Sequence, residues 1–367
     1  MLFRSAWLHA ELRAQGVALH LGDPVAAFEP PQPGESARAS VVVLKSGRRI
    51  PADTVVLGLG VRPETRLAQQ AGIELGQRGG IRVNDQLQTS DPRIWAVGDA
   101  VEVRDRVTGD WGIIPLAGPA NRQGRIAADN IFGRTASYEG TWGTAILRLF
   151  ELTAGCTGAS EKTLRRANLP FQALHLHPGS HAGYYPGAEP IAMKILFAPD
   201  TGKLLGAQAV GRHGVDKRID VLAAALQGGM TVHDLAELEL AYAPPFGSAK
   251  DPVNLAGMAA QNVLVGDVQL AQWDEIASLN PNQTLLLDVR RPDERTAGFI
   301  PGSIPIPLDE LRGRLNELPR DREIIAYCNS GQRSYFACRV LIQRGFRARN
   351  LTGSWRTWKT AITPHGN

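Results

Sequence analysis

The run Tyr327-Cys328-Asn329-Ser330-Gly331-Gln332-Arg333-Ser334 sets a cysteine, a glycine, an arginine and two serines side by side. Glu323 to Tyr327 before it is a short apolar run of the kind that makes a buried strand, and Tyr335 to Gly345 reads as a helix. The spacing therefore puts Cys328 at a strand-to-helix turn. Backbone N–H groups and the positive end of a helix dipole converge there, which stabilises an anion and lowers a thiol pKa. Cys328 is the candidate nucleophile and Arg333 a cation beside its sulfur. The N–H groups of Asn329, Ser330, Gly331, Gln332 and Ser334 are the expected anion cradle. A thiol lowered from about 8.5 toward neutrality is largely thiolate at cellular pH. The bland alternative, a packed core cysteine, is disfavoured by Gly331 and Arg333 at these spacings.

The elements that must hold this loop lie upstream. Leu287-Asp288-Val289-Arg290 ends another apolar strand, so Asp288 and Arg290 are expected to brace the loop. Together with Gly298-Phe299-Ile300-Pro301-Gly302-Ser303 and a closing Leu351-Thr352-Gly353-Ser354-Trp355, this segment resembles the rhodanese (sulfurtransferase) domain over about Gln269 to Lys359. The resemblance implies a cysteine that takes sulfane sulfur as a persulfide from thiosulfate or a persulfide and passes it to a small thiol. Relatives that act as phosphatases carry one more residue between cysteine and arginine, whereas four separate Cys328 from Arg333 here. Phe299 stands where the family often has His, and Ser354 where it often has a second glycine; neither is expected to touch the nucleophile.

A chain of 367 residues is expected to hold two or three domains. Its 43% hydrophobic and 21% charged residues suit a globular protein. The net charge of +4 is small, and no Lys/Arg block with interleaved aromatics points to nucleic acid. Apolar runs are too short for a bilayer, and the start lacks a signal-peptide layout. Three cysteines, Cys156, Cys328 and Cys338, without a Cys-x-x-Cys pair argue for a reducing cytoplasm and against a disulfide framework or zinc site.

The front of the chain reads as a helix over Leu2 to Gln15, a strand over Val17 to Leu21, a hairpin over Ala39 to Leu44 and Arg49 to Pro51, and a buried strand over Asp53 to Gly60. Thr89-Ser90-Asp91-Pro92-Arg93-Ile94-Trp95-Ala96-Val97-Gly98-Asp99-Ala100 then resembles the flavin-contacting segment of the pyridine nucleotide-disulfide oxidoreductases. That resemblance implies that Gly98 and Asp99 contact FAD, Asp99 at the ribityl chain; a simple capping aspartate is the alternative. The small-residue helix start after Pro115 makes Ala117, Asn121 and Gly124 candidate flavin neighbours.

Beyond Thr141 the pattern changes to a strand over Ala145 to Phe150, a turn with Cys156, a helix over about Ser160 to Ala167, and alternating strands over Phe171 to His177, Ala192 to Phe197 and Leu204 to Val210. Helices follow at Arg218 to Gln227 and Leu255 to Val265. This part resembles the dimerisation domain of the same family. The phrases around Tyr184, Gly214-Val215-Asp216-Lys217-Arg218 and Tyr242-Ala243-Pro244-Pro245 resemble coenzyme A-disulfide reductases and persulfide-reducing relatives. Tyr184 and Tyr242 are implied to lie near a thiol substrate. His177 and His181 suggest a metal pair, but Pro178 and Gly179 between them break the helix such a pair needs, so no metal is expected.

The fold class is α/β and α+β multidomain: a partial FAD/NAD(P)-binding Rossmann-like region over 1–137, an α+β dimerisation domain over 138–265 and a C-terminal α/β rhodanese domain over 268–363. A Gly-x-Gly-x-x-Gly turn after a strand, needed at each dinucleotide pyrophosphate, is absent from the sequence, and no cysteine precedes Cys156. By resemblance the chain is expected to begin inside the nicotinamide-binding domain and, alone, not to retain FAD or NAD(P)H. Three readings stand: a sulfurtransferase at Cys328, acting on thiosulfate, persulfide or coenzyme A-type thiols; a flavin-dependent disulfide or persulfide reductase whose N-terminal half is a separate partner; and a non-catalytic remnant that only forms a homodimer.

Overall fold

The structure, a computed structural model, describes residues 3–32 and 40–362. The expected helix start Leu2 and strand start Ala39 lie outside the described residues. Helix α1 (Phe3–Ala14) leads to an antiparallel three-stranded sheet, β1 (Val25–Glu29), β2 (Ser40–Leu44) and β3 (Arg49–Ala52), in that order. The expected strand over 17–21 is instead irregular chain and turn, and the strand begins at Val25. A tie explains the shift: Ser46 donates from its N (2.9 Å) and Oγ (2.6 Å) to the Asp23 carboxylate, fixing the turn ahead of β1 against the β2–β3 hairpin. The expected buried strand over Asp53 to Gly60 is irregular and exposed, with Val56 at 88% and Leu59 at 87%. Among the described residues no strand pairs with it, and an apolar run without a neighbour cannot form a ladder.

After α2 (Arg66–Gln70), the two-stranded ribbon β4 (Val103–Arg104) and β5 (Trp111–Gly112) precedes α3 (Ala117–Ile131). Ala127 of α3 closes a small core with Val83, Leu87, Val101 and Tyr138.

The middle of the chain is one antiparallel sheet in the order β6-β7-β10-β9-β8, built from β6 (Ala145–Leu149), β7 (Leu152–Gly158), β8 (Gln172–Leu176), β9 (Ala192–Phe197) and β10 (Leu204–Gly211). Helix α4 (Glu161–Arg166), capped by Ser160, links β7 to β8. Helices α5 (Val215–Gln227), α6 (Val232–Glu237) and α7 (Pro252–Leu264) follow. Cys156 is a half-buried residue inside β7, not in a turn, because its stretch pairs with both β6 and β10. Strands expected to alternate do not: every residue of β9 is buried. Helix α5 and α1 both lie against β7 and β10, and Ile195 and Phe197 of β9 pack with Ile219 and Leu222 of α5 while Leu196 packs with Leu164 of α4, so this sheet is covered on both sides. A Cβ on Gly155 would sit 2.7 Å from Ile219 Cγ1, which is why α5 can approach β7 closely there.

The last domain is a five-stranded parallel sheet, β11-β15-β14-β12-β13, from β11 (Gln269–Ala271), β12 (Thr284–Asp288), β13 (Ile304–Pro305), β14 (Glu323–Tyr327) and β15 (Ala348–Leu351). The short helix α8 (Pro292–Arg295) follows β12, α9 (Gln332–Gln343) follows β14, and α10 (Ser354–Ile362) follows β15. Ala337, Cys338 and Leu341 of α9 fill one face of the sheet and Trp358 of α10 the other. This domain docks on the edge strand β8: His175 N donates to Thr352 Oγ1 (2.7 Å), and His177 Nε2 bonds Thr357 Oγ1 (2.8 Å). Among the described residues, no helix is long and apolar enough to cross a membrane.

Candidate active site

Strand β14 is central in its sheet, and its residues 324–327 are buried, so the chain leaves Tyr327 at a fixed point at the carboxyl end of the sheet, where open α/β sheets place their sites. Gly331 takes φ 110°, a left-handed value that glycine adopts without steric cost, and this turns the chain straight into α9. The turn folds the loop around its own sulfur. Gly331 N (3.1 Å) and Ser334 Oγ (3.5 Å) both donate to Cys328 Sγ. Burial pushes the Cys328 thiol up, but hydrogen bonds from the Ser334 hydroxyl and the Ser334, Gly331 and Ser330 amides outweigh it and hold the thiol below its ordinary value. Cys338, ten residues on and without such a cradle, is pushed by burial up to about 12.

Arg333 is close enough to feel the sulfur, yet it is not the unbalanced cation the sequence suggested. Its Nη1 and Nη2 donate to the two Glu294 oxygens, each at 2.6 Å. The Arg333 bond holds the Glu294 carboxyl below the usual range despite partial burial. Glu294 escaped the sequence reading; its only signal is its place in the first turn of α8, three residues after Arg291, whose N it caps.

Asp288 and Arg290 form a buried pair (Nη2 to Oδ2, 2.8 Å). Burial raises the Asp288 carboxyl, but bonds from Arg290 and Tyr327 win and lower it. The pair steadies the loop through its neighbours: Tyr327 Oη donates to Asp288 Oδ2 (2.8 Å), and Arg290 Nη2 reaches the Gly298 carbonyl (2.9 Å). Phe299 stacks under the Arg295 guanidinium (4.2 Å). Ser354 corrects the expectation that it stays clear of the nucleophile. Its Oγ accepts from Cys328 N at 3.1 Å and lies 3.2 Å from Ser334 Oγ. Its φ of 49° is left-handed, consistent with a position that suits glycine. The N–H groups of Trp355 and Arg356 hold the Cys328 and Asn329 carbonyls, both at 3.1 Å, and Asn350 Nδ2 holds that of Gly331 at 3.1 Å.

The other expected residues fall into two further groups. Asp99 is exposed in a short 3-10 turn, and its carboxylate accepts no hydrogen bond among the described residues. Gly98 donates to Gln123 Oε1 (2.6 Å), which ties this turn to α3. Ala117, Asn121 and Gly124 repeat at helical spacing along the exposed stripe of α3, and a Cβ on Gly124 would meet nothing. An open carboxylate beside an unobstructed small-residue stripe fits one wall of a flavin site. Tyr184 and Tyr242 meet through their hydroxyls at 2.8 Å on the surface. The ring nitrogens of His181 are engaged by Ser180 Oγ and the Pro186 carbonyl, and His177 Nε2 by Thr357.

Residues 3–124 match the pyridine nucleotide-disulphide oxidoreductase family, 145–252 the dimerisation domain of that family, and 273–361 the rhodanese-like domain. The chain therefore carries a region of the pyridine nucleotide-disulphide oxidoreductase type, the dimerisation domain of that family and a rhodanese-like domain. It is 36% identical over 221 residues to a coenzyme A disulfide reductase of Staphylococcus epidermidis, covering 60% of this chain and 50% of that protein. The crystal structure of reduced Bacillus anthracis CoADR-RHD superposes with a TM-score of 0.94 at 47% identity, over 99% of this chain and 64% of the other. A NAD-dependent persulfide reductase from A. fulgidus gives 0.87 at 36% identity, over 97% and 64%. The chain thus spans about half the length of the curated relative and under two thirds of these solved ones. Cys328 belongs to the rhodanese-like part, and Gly98 and Asp99 to the oxidoreductase part.

Proposed function

We propose that the rhodanese-like domain is a sulfurtransferase with Cys328 as nucleophile and sulfur carrier. The observation that carries this is the set of donors aimed at Sγ, which keeps a buried thiol below its ordinary pKa. The thiolate attacks the outer sulfur of a persulfide or thiosulfate, an S–S bond forms at Cys328, and the donor leaves as thiolate or sulfite. An acceptor thiolate then attacks the outer sulfur of the Cys328 persulfide and departs as a new persulfide, which regenerates the thiolate. The loop N–H groups stabilise the sulfur anion in both steps. Cys328 is 1% exposed, so a donor must present a narrow terminal sulfur. The Cys328→Ala variant is expected to lose thiosulfate- and persulfide-dependent formation of thiocyanate from cyanide; retained turnover would remove the proposal.

A second reading is favoured by the open Asp99 and the bare stripe of α3: one wall of a flavin site in a coenzyme A-disulfide or persulfide reductase using FAD and NAD(P)H. Asp99 would hold the ribityl hydroxyls, and the flavin would carry electrons between nicotinamide and disulfide. The remaining cofactor contacts would come from a separate reductase half, with Tyr184 and Tyr242 near the thiol substrate and the dimerisation domain pairing two copies. Purified protein is expected to elute as a dimer on size exclusion and to hold well under one flavin per chain; stoichiometric flavin would overturn the need for that half.

A further inference from the structure

Helix α5 opens on Gly214-Val215-Asp216-Lys217-Arg218, outside both sites described above. Its Arg218 is 2% exposed. The guanidinium donates from Nη2 to the Ser180 carbonyl (2.9 Å) and to Asp251 Oδ2 (2.8 Å), and from Nη1 to the Gly214 carbonyl (3.2 Å). Gly214 takes φ 71°, and a Cβ there would lie 2.3 Å from Arg218 Nη1, so glycine leaves the guanidinium its room.

Two loops meet at this helix start, and each carries one of the exposed tyrosines. The loop with Tyr184 is fixed at several points. Arg218 grips the Ser180 carbonyl, His181 bridges Ser180 Oγ (3.1 Å) to the Pro186 carbonyl (3.2 Å), and Tyr185 N donates to the Ala182 carbonyl (2.9 Å). The stretch with Tyr242 is held far less. Residues 239–242 lie in no helix or strand, and among the described residues they make no backbone–backbone hydrogen bond. Asn254 Nδ2 holds the Leu238 carbonyl (2.9 Å) where that stretch begins, and the Gly247 carbonyl accepts from Ala182 N (2.8 Å) beyond its end. Between those points the backbone has one side-chain tie among the described residues: Lys217 Nζ donates to the Ala241 carbonyl at 3.2 Å, one residue before Tyr242.

We infer that Lys217 is a positioning residue for the tyrosine pair: by holding the Ala241 carbonyl it places Tyr242 Oη against Tyr184 Oη, at 2.8 Å. Arg218, the next residue, fixes the other loop, so one helix turn sets both phenols. What the pair does rests on the reading that puts it beside a thiol substrate; its placement rests on these bonds alone.

The bond to Tyr184, with a smaller contribution from burial, raises the Tyr242 phenol above its ordinary value, so loss of the bond lowers it. Loss of a nearby cation acts the other way, because a cation favours the phenolate. The full chain is labelled with meta-fluorotyrosine, whose phenol ionises at lower pH than that of tyrosine, and the Tyr242 resonance is followed against pH by fluorine NMR. Lys217→Met is expected to lower the Tyr242 midpoint to its value in Tyr184→Phe at an unchanged melting temperature. Lys217→Arg, which keeps a long donor, is expected to restore it. A midpoint that rises or stays put in Lys217→Met, or a Lys217→Arg that behaves as Lys217→Met, would overturn the positioning role. Flavin, nicotinamide and thiol are absent from these measurements, so their failure leaves the reductase reading standing, and failure of that reading leaves them unaffected.

Discussion

The charge beside Cys328 Sγ is set by a pair, Arg333 with Glu294, not by one cation. Neutralising Glu294 leaves Arg333 free to act on the sulfur. Glu294→Gln is therefore expected to lower the midpoint pH of Cys328 alkylation by iodoacetamide, and Arg333→Ala to raise it. Opposite signs in a stopped alkylation assay read by mass spectrometry check the pairing; equal shifts would sink it. Cys338, held up to about 12, is expected to stay unlabelled at pH 8 in the same experiment. The strand-to-helix turn and the donors around Cys328 Sγ were legible in the sequence because glycine, cysteine and serine spacing is local. Glu294, Ser354 and Asn350 were not, since each reaches the loop from another element across 19 to 39 positions of chain.

Among the elements, the stretch after β3 departs most from what periodicity suggests. Asp53 to Gly60 has the composition of a buried strand, yet Val56, Leu57 and Leu59 are 88%, 65% and 87% exposed. Composition reports what a segment could bury; a strand also needs a neighbour for its N–H and C=O groups. Such a run favours self-association, so Val56→Glu with Leu59→Glu is expected to reduce light scattering at high protein concentration without lowering the melting temperature. By contrast, β9 is buried throughout, and Ile195→Ala is expected to cost about 2–5 kcal/mol in denaturant unfolding. The antiparallel hairpins of the middle sheet were legible in the alternating strands and their turn, and the parallel order of the last sheet only through the rhodanese resemblance, while the burial of β9 on both faces depends on α5 and α7 on one side and Leu164 of α4 on the other.

On the scale of the whole molecule, the seam between β8 and the rhodanese-like domain carries two buried histidines. Burial lowers His177 to about 3, with Arg356 repulsion adding to it, against about 6.5 in an unfolded chain. The unfolded state therefore binds the proton first, so this contribution is intact above about pH 6.5 and is lost as pH falls toward the folded value. His177→Gln keeps a polar partner for Thr357 without that titration. It is expected to flatten the fall of Tm between pH 7 and pH 5 in calorimetry, and an unchanged slope would assign the acid loss elsewhere.

The five residues 350–354 face two ways: Asn350 and Ser354 grip the Cys328 loop, while Thr352 between them is bonded to His175 of the dimerisation sheet. Cutting the chain at the linker would thus not deliver the same thiol in a smaller package. A freed C-terminal fragment would keep every residue of the loop motif and still be a different reagent, because the splint that sets its sulfur is anchored in the neighbouring domain.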